Sequence, residues 1–235
     1  MISELLKSEI LKIRKLTWVI VIFGPLGVVA MQGANYALRF DYLMSRNPDK
    51  WLFLLENIHA YWPPSLLLGT TMINSLLAGM EHHANMWKKL FSLPVKQWKV
   101  YQSKIIIIIT MMLISTAILP AGTYVLGRLL GFSETFPLGD ALMMSFYTLF
   151  AALPFVFLQF WLSVKYSNQG IALTIGIASA VFIMYAYGLP EWMPWKWPLL
   201  IDGIGKSTLS VIKGLAVGLL IYLFALLSLS RKDVA

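Results

Sequence analysis

Apolar residues run through this chain in long, nearly unbroken blocks, and six of the blocks reach the length of a membrane-crossing helix. They cover about residues 17–38, 60–80, 105–126, 141–162, 170–189 and 209–229. A spanning helix needs roughly 20 mostly apolar residues, because the hydrocarbon core is about 30 Å thick. The blocks are continuous rather than alternating, so they predict helices and not the strands of a barrel. The β-branched run 105–109 would signal a strand in water. Here it follows Lys104 and continues through Met111, Met112 and Leu113, and it reads as helix. Before the first block, Ile2, Leu5, Leu6, Ile10, Ile13 and Leu16 recur near helical spacing. Ser3, Glu4, Lys7, Ser8, Lys12 and Lys15 fill the other side. This pattern predicts an amphipathic helix over residues 1–16 lying along the membrane surface, with a plain extension of the first span as the alternative. Glu4 and Glu9 so near the start, with no small-residue cleavage motif after the first block, argue against a removed leader. The expected architecture is therefore all-α: an interfacial helix over 1–16 and a single six-span transmembrane domain over 17–235.

Composition supports the membrane reading. Hydrophobic residues make up 58% of the 235 residues and charged residues 13%, with a mean hydropathy of +0.71; soluble proteins carry about 25% charged residues. With no cysteine in the chain, disulfide frameworks, thiolate metal sites, iron–sulfur clusters and thiol catalysis are excluded. The formal charge of +8 takes its meaning from where it sits. Twelve of the 19 lysines and arginines fall in the N-terminal segment, the 81–104 loop, Lys165 and the tail pair Arg231 and Lys232. The other seven are matched by seven acids, so all the net charge lies on one face. The positive-inside rule makes that face cytoplasmic and places both termini there. The excess then faces anionic lipid and cytoplasmic partners, and no nucleic-acid partner is needed to explain it. Trp18, Trp51, Trp62, Trp161, Trp192, Trp195 and Trp197 fall near span ends, which predicts indoles reaching interfacial water. The proline-rich stretch 190–198 reads as an outer interfacial loop.

One segment carries a motif, the 81–104 loop. It opens on Glu81, continues through Met86, Trp87, Lys88, Lys89, Leu90 and Phe91, and breaks at Pro94 before a second basic stretch enters the third span. Proline disfavours α geometry in the residue before it, so the loop predicts a short helix with aromatic knobs and a basic edge, suited to a groove on a soluble partner. The order is an acid, Trp87-Lys88-x-Leu90, Ser92, Leu93-Pro94-Val95, Lys96, then Tyr101-x-x-Lys104. It resembles the loop after the second span in type-2 ABC exporter permeases. It is most similar to that of the small six-span permeases of bacterial bacitracin and lantibiotic immunity transporters. The resemblance covers the whole chain in layout and residues 81–104 in sequence. It implies that Glu81, Trp87, Lys88, Leu90, Phe91, Leu93 and Pro94 form the coupling helix that meets a cytoplasmic ABC ATPase. It also implies two copies of that ATPase, a second permease subunit (self or sibling) and a bacterial cell membrane. The implied cargo is an amphipathic peptide antibiotic, expelled for self-protection.

The chain has no Gly-x-x-x-x-Gly-Lys-[Ser/Thr] loop, so it is expected to bind no cofactor itself, leaving ATP and magnesium to the partner ATPase. Adjacent His82 and His83 after Glu81 point in different directions and do not make a zincin pair. His59 stands alone at the outer edge, and no acid falls centrally in a span. Enzyme chemistry and ion-coupled transport are therefore both disfavoured. Gln32, Asn35, Asn74 and Gln159 are the polar residues within the spans that read as helix packing or as substrate-facing. Gly214 and Gly218 form a Gly-x-x-x-Gly for close helix approach, inside the subunit or across a dimer. Pro25, Pro120 and Pro154 predict kinks. The alternatives are a permease for a lipid, ion or drug and a non-transporting membrane scaffold or sensor.

Overall fold

The computed structural model describes residues 2–46, 49–83, 97–201 and 208–230, and among these every regular element is helical. Helix α1 (Ile2–Lys12) is followed by α2 (Lys15–Leu38), which begins after Arg14 in extended backbone and runs on through Pro25. A single turn, α3 (Phe40–Met44), leads to α4 (Lys50–His83), whose first turn is capped by Asp49 accepting from the Leu52 amide at 2.9 Å. Helix α5 (Gln97–Leu129) continues through Pro120. Helices α6 (Leu138–Ala151) and α7 (Leu153–Lys165) share the fourth apolar block and meet at a 44° bend. Pro154 sits in the first turn of α7, where a missing amide hydrogen does no harm. Of the three predicted kinks, this is where the helix breaks; α2 and α5 remain continuous. Helix α8 (Gln169–Phe182) starts on the Asn168 side chain and tightens into a 3-10 turn (Ile183–Gly188). The proline-rich segment forms a second 3-10 turn (Pro194–Leu199), and α9 (Thr208–Ser230) closes the described chain.

Among the described residues four stretches are long and apolar enough to cross a membrane: α2, α5, Gln169–Gly188 and Thr208–Leu229. The bent α6–α7 pair adds a fifth when taken as one span. The block expected at 60–80 lies in α4, which is 34 residues long but carries Pro63, Pro64, Thr70, Thr71, Asn74 and Ser75. Its position explains the lower hydropathy. Helix α4 packs against α2, α5, α6, α7 and α8, and Leu54, Ile58, Trp62, Leu66, Ile73 and Asn74 are all buried. A helix wrapped in protein need not be greasy all round, whereas peripheral α8 and α9 expose Ile171, Val181, Leu219 and Leu220.

Three tryptophans depart from the expected interfacial role. Trp51 and Trp62 are 1% exposed, and their indoles donate to Glu134 O at 3.1 Å and Ser145 O at 3.4 Å. Trp51 packs edge-on to Phe132 and Phe136, and its ring lies directly over Gly127, where any side chain would overlap it. Trp197 is also buried and donates to Glu191 O at 2.8 Å. Trp18 and Trp192 are exposed.

Candidate functional site

The charged side chains that the fold draws inwards gather at one end of the bundle, where the chain leaves α4 and re-enters α5. Glu81 lies in the last turn of α4, Lys104 in the second turn of α5, and Glu9 on α1. Lys104 Nζ donates to Glu9 Oε2 at 2.6 Å and to Glu81 Oε1, and Lys12 Nζ donates to Glu9 Oε1 at 2.6 Å. All three central groups are buried: Glu81 at 2%, Lys104 at 5% and Glu9 at 7% exposure. Helix α1 therefore turns an acid inwards while Ile10 and Leu11 stand exposed, with Leu6 and Ile13 packed partly against the core.

The two carboxylates respond differently to sharing one lysine. Burial acts to raise the Glu9 carboxyl, but the Lys104 charge and hydrogen bonds from Lys104 and Lys12 outweigh it, and Glu9 is held below its ordinary value of 4.5. For Glu81 burial prevails over Lys104, and its carboxyl is pushed up. Glu9–Lys104 is thus the firmly ionised arm. Glu81 Oε2 is buried without a hydrogen-bond partner among the described residues.

On the other side of the same α4 terminus, His82 Nε2 donates to Ser163 O at 3.1 Å, and Gln169 Nε2 donates to the Ser163 and Tyr166 carbonyls, both at 2.9 Å. The end of α4 is thereby tied to the α7–α8 junction as well as to α1 and α5. Of the residues expected at the coupling helix, Glu81 is placed in this cluster. Trp87, Lys88, Leu90, Phe91, Leu93 and Pro94 lie outside the described residues. Glu9 and Lys104 were not among the expected site residues, although Lys104 closes the loop motif. A signal existed: Glu81 and Lys104 are opposite charges at the two stems of one loop, each at the edge of an apolar block.

Each of the four polar residues expected within the spans donates a hydrogen bond to a helical residue. Gln32 Nε2 donates to Asn57 O of α4 at 3.1 Å, and Asn35 donates to Gln32 Oε1 at 3.3 Å. Gln159 Nε2 joins α7 to α8 through Ala172 O at 2.9 Å. Asn74 Nδ2 donates within its own helix to Thr70 O at 2.8 Å, while its Oδ1 has no partner among the described residues. Gly214 and Gly218 press α9 onto the α6–α7 bend. A Cβ on Gly214 would stand 2.5 Å from Ala151 Cα, and one on Gly218 2.9 Å from Leu153 Cβ. At the opposite end of the bundle His59 is half-buried, with Nε2 donating to Leu199 O at 3.1 Å and Nδ1 3.5 Å from the Thr148 hydroxyl.

A family model described as ABC-2 family transporter protein matches residues 5–186. No curated protein and no solved structure matches the chain. The match covers more than half of the chain and includes most of α1, the ion cluster and the 84–96 segment, so the chain belongs to the ABC-2 transporter family.

Proposed function

Starting from this membership, which makes the chain a multi-pass permease component of an ABC-2 type transporter, we propose that it is the membrane half of an ATP-driven exporter of amphipathic peptide antibiotics. ABC-2 permeases pair with ABC ATPase subunits. The proposed assembly has two copies of the ATPase, which carry ATP and magnesium, and a second permease subunit, identical or sibling. In this reading α4 is the second span and the α6–α7 pair the fourth, giving six. The 84–96 segment and both termini then face the cytoplasm of a bacterial cell, and α1 is the interfacial helix. The resemblance of the 81–104 loop to those of bacitracin and lantibiotic immunity permeases supports the peptide cargo.

The observation that carries the coupling role is the Glu9–Lys104–Glu81 cluster. It binds the two stems of the loop to each other and to α1, so a push on the loop from an ATPase passes into α4, α5 and α1 together. The test separates coupling from folding. Trp87→Ala with Leu90→Ala removes two apolar anchors, and truncation of such anchors costs an interface on the order of 2 kcal/mol or more. The expected result is a folded membrane subunit that loses ATPase co-purification and antibiotic protection together, with Lys88→Gln doing much less. Full co-purification and full protection by the double variant would refute the coupling role.

A further inference from the structure

A cavity of about 230 Å³ opens beside the ion cluster, where α1 hands over to α2. It is lined by Glu9, Lys12, Arg14, Leu77, Met80 and Glu81. One water needs only about 15 Å³ of such space, so the cavity has room for a polar group of several heavy atoms. Three features define what would fill it. Glu81 Oε2 is buried and accepts nothing among the described residues, and a buried acceptor without a donor is costly. Arg14 is exposed at the mouth and makes no ion pair among the described residues, while Lys12 stands beside it on Glu9. Leu77 and Met80 supply an apolar wall on the α4 side.

We propose that this cavity binds the headgroup of phosphatidylethanolamine. Its primary ammonium donates to Glu81 Oε2, its phosphate faces Arg14 and Lys12, and its glycerol and upper acyl carbons run past Leu77 and Met80. The chemistry excludes the commoner alternatives. A choline headgroup has no N–H to donate. A glycerol headgroup brings a phosphate for Arg14 but no cation for Glu81, and adds negative charge beside two carboxylates. A zwitterion leaves the local charge unchanged. The level in the membrane also fits a lipid: Ile10, Leu11, Leu16 and Trp18 surround the α1–α2 junction and are all exposed, as expected of residues at the headgroup boundary.

The test uses the full-length protein purified in detergent, titrated with phosphatidylethanolamine, phosphatidylcholine or phosphatidylglycerol of identical acyl chains, with retained lipid read by native mass spectrometry. Neither transport nor an ATPase is involved, so the outcome is independent of the proposed export. Phosphatidylethanolamine should be retained about tenfold more tightly than phosphatidylcholine, as the loss of one hydrogen bond to a buried charged group implies. Glu81→Gln should collapse that preference, and Arg14→Gln, at an exposed position, should weaken all three lipids alike. Equal retention of the ethanolamine and choline lipids by the wild-type chain would overturn the proposal without recourse to any variant. A preference that survives Glu81→Gln would also overturn it. Free phosphoethanolamine displacing the lipid at equal concentration would show a soluble ligand and sink the lipid assignment.

Discussion

Lys104 holds two buried carboxylates that would otherwise face each other. Removing one member of a buried ion pair costs about 3–5 kcal/mol, because it leaves an uncompensated charge, whereas replacing the whole set by neutral groups is often close to neutral. Lys104→Met should therefore lower thermal stability markedly, and Lys104→Met with Glu9→Gln and Glu81→Gln should recover most of the loss; a thermal scan of the wild type, the single and the triple variant in one detergent checks it. The pH response of α1 follows from the same groups. Glu9 sits below its ordinary 4.5, so its contribution to docking α1 is complete above 4.5 and disappears as pH falls through the lowered value. Glu81 has the opposite sign: its raised carboxyl is most easily buried when protonated, so that share is complete below 4.5 and declines as pH rises. Helix α1 should stay docked from neutral pH to about 4.5 and release only in stronger acid. A spin-label pair between Leu11→Cys and a cysteine on α5 would report the separation, and release near pH 6 would contradict the assignment.

At the scale of elements, α9 owes its place to two absent side chains. Gly214→Val puts two methyl groups onto the Ala151 backbone, and overpacking of this kind costs typically 1–3 kcal/mol. The expected effect is reduced stability or a shifted α6–α7 bend, measured by thermal unfolding, while Gly24→Ala, where a Cβ meets nothing within 4 Å, should be silent. The peripheral helices were legible in the sequence because lipid-facing helices must be apolar along their length, and α2, α8 and α9 fall over three of the predicted blocks; α5 falls over a fourth although more of it is buried. Helix α4 was harder to grade by hydropathy, since protein rather than lipid surrounds it. The tryptophan pattern misled for a related reason: an indole at a span end reads the same whether it is exposed, as in Trp18, or buried and donating to a backbone carbonyl, as in Trp51. The ion cluster escaped because its partners are 23 and 95 residues apart. Nothing in local spacing says that α1 folds back onto the two stems of the loop.

In the proposed orientation the whole molecule is asymmetric in charge, because twelve of its 19 bases fall in sequence segments assigned to the cytoplasmic side. Single cysteines at Ser92→Cys and Ser133→Cys, in a chain with no cysteine of its own, should label oppositely with an impermeant thiol reagent on intact cells. Position 133 should react from outside and position 92 only after permeabilisation; the reverse pattern would invert the proposed orientation. The shared lysine has a mechanical consequence for such a molecule. One ammonium between two carboxylates works as a double-throw contact: as the bundle shifts, it can release one acid while still holding the other, so no step leaves it bare. Of the two acids it joins, Glu9 is held below its ordinary value and Glu81 is pushed above it.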